Sequence, residues 1–122
     1  MTPSRTQAEA MARDWVAAWN RRDLEAVLAH YTEDVEVCSP LVADRLGRAD
    51  GILRGKEELR AYFARGMANT DLEFAFEDVR IGVNTMTVLY TRENGMRVAD
   101  TMELDGTGRA RRMLACYAGG AA

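Results

Sequence analysis

A chain of 122 residues, 48% apolar and 29% charged, has the size and mix of one folded domain, which excludes a disordered chain. Its formal net charge of −3 offers no overall basic field for a nucleic-acid backbone. No run approaches a membrane span, and the start "MTPSRTQAEAMARDW" lacks an apolar core of signal-peptide length, so a cytoplasmic location is expected.

From Thr6 to Arg22, apolar residues fall at Ala8, Met11, Trp15, Ala18 and Trp19, the spacing of one helical face. Asp23 has the chemistry to cap a short second helix whose inner face is Leu24, Val27, Leu28 and Tyr31. Asp34 to Ser39 alternates as a strand, with Val35, Val37 and Ser39 on one side and Glu36 and Cys38 on the other. Pro40 to Gly55, with three glycines and scattered charges, reads as a loop. A third helix follows, with Glu57 and Glu58 in its first turn and Leu59, Tyr62, Phe63 and Met67 on its apolar face.

After Asn69 the period becomes that of strands. The apolar set Leu72, Phe74, Phe76 changes phase to Val79, Ile81, Val83, so a bulge is expected at Glu77-Asp78. Thr85–Arg92 and Met96–Leu104 flank Asn94-Gly95, the preferred two-residue hairpin turn. "DGTG" (Asp105–Gly108) makes the next turn into a strand over Arg109–Tyr117. Helices gathered in the first half, then a meander of strands, predict a single α+β domain over residues 1–122. Its ordered core should span about 5–118, with "AGGAA" as a loose tail. A bulged, bent sheet has a concave face, and where the helices fail to fill it there is a pocket.

Asp100 breaks the pattern of its own strand. It shares a face with Met96, Val98, Met102 and Leu104, which should be the core or pocket face. A carboxylate there must be paired, hydrogen-bonded or protonated. Desolvation would raise its pKa and suit it to proton transfer; the alternative is a structural acceptor for a Trp or Tyr donor. The last strand carries apolar residues on both sides: Met113, Ala115 and Tyr117 on one, Leu114 and Cys116 on the other. Coverage by the helices and by a second subunit is expected, hence a homodimer through the convex sheet face.

Cys38 and Cys116 are isolated, and with the single histidine His30 they form no recognisable zinc set. No phosphate loop or dinucleotide glycine pattern occurs, so no cofactor is implied. The basic spots Arg21-Arg22 and Arg109, Arg111, Arg112 read as solvated faces or ion pairs rather than a nucleic-acid surface.

Three stretches, "WVAAWNRRDLEAVLAHYTEDVEV" (15–37), "LRGKEELRAYF" (53–63) and "DTMELDGTGRARRMLACY" (100–117), give the chain its resemblance to the nuclear transport factor 2-like superfamily. Within it the chain is most similar to the SnoaL-like and ketosteroid isomerase-like proteins. The resemblance implies a cone-shaped curved sheet wrapped around three helices, with a pocket open at one end and dimers common.

The ketosteroid isomerase pattern would place its protonated aspartic acid on Asp100 and its tyrosine donor on Trp15. The base position falls on Ser39, a hydroxyl too weak to replace a carboxylate, so that isomerisation is not expected. The limonene epoxide hydrolase-like branch needs an arginine where Val98 stands and a second, opposing aspartate that Met113 and its neighbours do not offer, so that activity is not expected. The dehydratase-like branch would need His30 paired with a pocket aspartate. SnoaL-type cyclisation asks for one pocket aspartate acting on an already acidic substrate, which Asp100 alone could supply.

Two functions follow as expectations. One is a cofactor-independent cyclase, isomerase or lyase using Asp100 on an apolar, oxygenated ligand such as a polyketide or terpenoid. Trp15, Trp19, Ser39, Tyr62, Tyr90, Met113 and Tyr117 would then form the wall. The other is a non-catalytic dimeric module holding such a ligand.

Overall fold

The computed structural model describes residues 2–119; the last three residues of the expected tail lie outside them. Helix α1 (Arg5–Asn20) starts from a capping box, in which the Ser4 hydroxyl accepts from the Gln7 N–H and the Gln7 side chain accepts from the Ser4 N–H. Ala8, Ala12, Trp15, Val16, Ala18 and Trp19 form its buried face. Asp23 caps α2 (Leu24–Leu28), accepting from the Ala26 N–H at 3.1 Å.

Strand β1 (Tyr31–Cys38) begins earlier than its alternation suggests and takes Tyr31 from the expected helix face into the sheet. Its inner row is Tyr31, Val35 and Val37. The segment 40–55, expected as a loop, instead holds helix α3 (Pro40–Leu46) and strand β2 (Ile52–Arg54). The reason is local. Ser39 caps α3, Pro40 occupies its first turn, and Gly47 (φ 65) ends it. The return to the sheet is pinned by Arg48, whose Nη1 and Nη2 donate to Glu58 at 2.8 and 3.0 Å. Glu58 also accepts from the Arg54 N–H, and the Arg48 fork, named first among the causes, holds its carboxyl down at about 2.

Helix α4 (Lys56–Met67) buries Leu59 and Phe63. The chain then runs as β3 (Phe74–Gly82), β4 (Thr85–Arg92), β5 (Arg97–Leu104) and β6 (Ala110–Tyr117). The described residues thus hold four helices, one more than expected, and one six-stranded sheet in the order β2-β1-β6-β5-β4-β3. All neighbours are antiparallel except β1 and β6, which pair in parallel and bring the N-terminal half against the last strand. No described helix is long and apolar enough to cross a membrane.

The expected bulge is present: Phe76 faces Tyr90 but Asp78 faces Leu89, so Glu77 is the extra residue. Beyond it only Val79 of the second apolar set is buried. Ile81 and Val83 are 40% and 82% exposed, so the second apolar set marks the change of phase without all of it entering the core.

The β4–β5 hairpin also departs from expectation. Gly95 donates to the Arg92 carbonyl at 2.9 Å, Arg92 donates to the Met96 carbonyl at 2.8 Å, and Gly95 has φ 84. Asn94 is not in the left-handed region, so the turn comprises Glu93, Asn94 and Gly95 rather than Asn94-Gly95 alone. The extra residue sets the register as Tyr90 opposite Val98. A two-residue turn would have put Tyr90 opposite Ala99, on the other face from Asp100.

Among the basic spots, Arg22 proves structural. Its guanidinium donates to the carbonyls of Asn20, Asn69, Thr70 and Leu72, tying α1 to the entry of β3. Arg111 and Arg112 each lie 3.5 Å from Glu103.

Candidate functional site

The concave face is lined at its centre by aromatic rings. Trp15 and Trp19, one turn apart on α1, meet edge to face at 6.3 Å. Phe74 stacks on Trp15 at 5.8 Å and lies 4.5 Å from Tyr90, while Phe63 on α4 meets Trp19 at 4.7 Å. Such contacts are worth about 0.5–1.5 kcal/mol per pair beyond the area they bury. They make one wall of a cavity of ≈ 80 Å³. Asp100, Ser39, Tyr62, Tyr90, Met113 and Tyr117 line it as well, so every residue singled out for the pocket meets there.

Asp100 sits at the middle of β5, between Val88 of β4 and Ala115 of β6, and is 3% exposed. The Tyr90 hydroxyl, diagonal to it on β4, donates to Oδ2 at 2.8 Å. Its other oxygen, Oδ1, is buried without a hydrogen-bond partner from the protein. Burial pushes the carboxyl up from 3.8 to about 7, against the opposing pull of the Tyr90 hydroxyl and the Arg92 guanidinium. A group with such a pKa is present in both protonation states near neutrality. As the acid it can donate from Oδ1, and as the carboxylate it can accept a proton there. Burial also pushes the Tyr90 phenol well up, and the Asp100 charge adds to it, so Tyr90 stays a donor.

The donor that the resemblance implied at Trp15 is already engaged. Its indole N–H donates to the Tyr31 hydroxyl at 2.9 Å, and that hydroxyl turns to the Met113 sulfur at 3.5 Å. Tyr90 takes the place beside Asp100 instead. Ser39 lines the cavity at 7% exposure, but its hydroxyl caps α3, accepting from the Leu41 N–H at 3.2 Å. Burial pushes the Tyr117 phenol up, the Asp100 charge adds to this, and the neighbouring Ser39 hydroxyl opposes it. Cys38 points away from the cavity, with its sulfur 3.5 Å from the Asp50 carbonyl. His30 is paired, but with Asp14 at 2.7 Å, and does not line this cavity.

Two arginines at the site escaped the sequence reading. Arg92 follows Met86, Val88 and Tyr90 on the inner phase of β4, a signal the alternation already carried. Its guanidinium lies 5.6 Å over the Phe74 ring, and its Nε is buried without a partner. Arg45 reaches the mouth from α3, with Nη1 donating to the Tyr62 hydroxyl at 3.4 Å, and could not be placed while that segment read as a loop. Trp19 Nε1 is likewise buried and unpartnered. Among the described residues the buried side-chain polar atoms without a partner are therefore Trp19 Nε1, Arg92 Nε and Asp100 Oδ1, and all three belong to the lining of this one cavity.

Comparison with known proteins agrees with this architecture. The chain has no match among curated proteins. A SnoaL-like protein of unknown function from Burkholderia thailandensis is 31% identical, with 98% of this chain and 100% of that one aligned at a TM-score of 0.93. A protein of unknown function with a cystatin-like fold from Methylobium petroleophilum shares 19% identity over 100% of this chain and 82% of its own, at a TM-score of 0.77. An NTF2-like protein of unknown function from Burkholderia pseudomallei shares 22% over 90% and 89%, at 0.71. The latter two show likeness of fold alone. The SnoaL-like domain family matches residues 12–118, from the middle of α1 to just past the end of β6, and with the cavity-bearing sheet inside that span the chain belongs to this family.

Proposed function

We propose that the protein binds a small apolar, oxygenated molecule in the aromatic cavity and that Asp100 acts on it as a general acid–base. The observation that carries this reading is Asp100 itself. It is buried in the cavity wall, one oxygen is held by Tyr90, the other is unpartnered, and its pKa is pushed to about 7. Protonated, Asp100 would donate to a ligand carbonyl oxygen; ionised, it would take a proton from a carbon acidified by neighbouring carbonyls. Cyclisation, isomerisation or lyase chemistry on such a substrate needs no second acid.

The wall supports this assignment, since Trp15, Trp19, Tyr62, Met113 and Tyr117 offer apolar surface with few polar groups, the usual make-up of a ligand pocket. A thermal-shift screen against steroid, polyketide and terpenoid ligands, followed by product analysis of the hits, tests it. Wild type should convert at least one hit, and Asp100→Asn should bind that hit without converting it. Turnover unchanged in Asp100→Asn sinks the catalytic role.

A second reading, a non-catalytic binding module, is favoured by one feature: among the described residues, Asp100 is the only carboxylate or histidine that lines the cavity. Binding without product from every hit would support it. Under either reading we expect a second copy to cover the convex face, where Leu89, Ala99 and Cys116 lie in register across three strands. Sedimentation velocity giving a monomer at micromolar concentration would contradict this.

A further inference from the structure

The cavity does not end at the aromatic rings. Through Arg45, Tyr62 and Arg92 it adjoins a cleft of ≈ 230 Å³, lined by these three with Arg65, Gly66 and Asn69. Three of the six are arginines and none is acidic, in a chain whose net charge is −3. Glu93 lines the next cleft and lies 3.6 Å from Arg92 Nη2. Arg45 and Arg65 each occupy the last turn of a helix, where the dipole favours a cation. Neither is joined to a carboxylate within 4 Å among the described residues, whereas Arg48, Arg54 and Arg60 all are. The Arg92 side chain is only 15% exposed, yet its Nε still lacks a partner. A buried guanidinium N–H without an acceptor is costly, and the planar fork of arginine suits an oxyanion.

Resting on the small-molecule reading above, we infer that the ligand is amphipathic: its apolar body fills the aromatic cavity beneath Asp100, and an oxyanion, carboxylate or phosphate, occupies the arginine cleft at the mouth. The inner cavity supplies rings and one proton-transferring group, and its cations, Arg45 and Arg92, are the two it shares with the cleft. The cleft adds the third cation, Arg65, and the Asn69 amide. One molecule satisfying both must carry its charge at one end. Local positive potential in a net-acidic chain would also draw such a ligand in by that end.

The probes are para-hydroxycinnamate, its uncharged methyl ester and para-nitrophenyl phosphate, titrated calorimetrically into the whole protein at low and high salt. At low salt the acid should bind about tenfold tighter than its ester, the worth of one charge-assisted hydrogen bond. High salt should narrow the gap. The double variant Arg45→Ala/Arg65→Ala, changed at exposed positions, should close it by weakening the acid far more than the ester. Circular dichroism of the variant checks that the fold is kept. The ranking of acid against phosphate names the source of the oxyanion. No acid-over-ester gap in wild type, whether both bind alike or neither binds, overturns the inference, as does a gap that survives the double variant. Asp100→Asn separates the two proposals: it should leave the gap intact, and an effect of that variant on turnover bears on Asp100 alone.

Discussion

Replacing Asp100 with Asn should remove a pH dependence that this single carboxyl imposes on folding. In the folded protein its pKa is pushed from 3.8 to about 7 by burial, so between those values the folded state holds a proton that the unfolded state has released. Stability from this group is therefore full below about pH 4 and is lost as pH rises through about 7. At about 1.4 kcal/mol per pH unit, the loss across that window is about 4 kcal/mol, a large share of the 5–15 kcal/mol that holds a typical domain together. Asn keeps the shape and still accepts from Tyr90 but cannot ionise.

The assay is urea unfolding across that pH window, followed by the fluorescence of Trp15 and Trp19 and by circular dichroism. Other carboxylates, such as Glu58, titrate alike in both proteins and drop out of the difference. The gap between wild type and Asp100→Asn should shift in favour of the variant by about 4 kcal/mol from acid to mildly alkaline pH. Parallel profiles would refute the reasoning, because they would mean that Asp100 is not desolvated in the folded protein.

Tyr90→Phe removes the hydroxyl that lowers the Asp100 pKa, so the carboxyl should titrate above its present value of about 7. Carbon-detected NMR of the Asp100 carboxyl measures the midpoint directly, and a midpoint that stays put or falls contradicts the pairing. Gly51→Ala should cost about 1–3 kcal/mol, because Gly51 has φ +66 and an added Cβ would lie 2.8 Å from the Ser39 carbonyl oxygen. Urea unfolding reads the loss, and a change of only a few tenths would mean that the α3–β2 turn is free to relax.

Much of the candidate site was legible because alternation along a strand is a local property. The face of Asp100 followed from its neighbours Val98 and Met102, and the bulge at Glu77 from a change of phase within one strand. The same rule, applied to Met86, Val88 and Tyr90, would have placed Arg92. Ser39-Pro40 and Gly47 were legible as a helix start and stop, yet proline after a strand reads equally as its end. Nothing in that stretch alone shows that Arg48 will reach Glu58 ten residues on and give a short helix a fixed seat.

By itself the amino-acid sequence determined the α+β class, the bent sheet and the inward carboxylate, since each rests on periodicity and on the cost of burying charge. Only the tertiary structure decided the partners. The parallel pairing of β1 with β6 brings the Tyr31 hydroxyl to Trp15 and so engages the indole that would otherwise serve as a donor. The three-residue turn after Arg92 sets the register that puts Tyr90 on the face of Asp100. Seating α3 carries Arg45 to the cavity mouth beside Arg92. These are contacts between segments far apart in the chain or separated by a turn whose length sets parity. Local pattern has no access to them, because their geometry exists only once the sheet has closed around the helices.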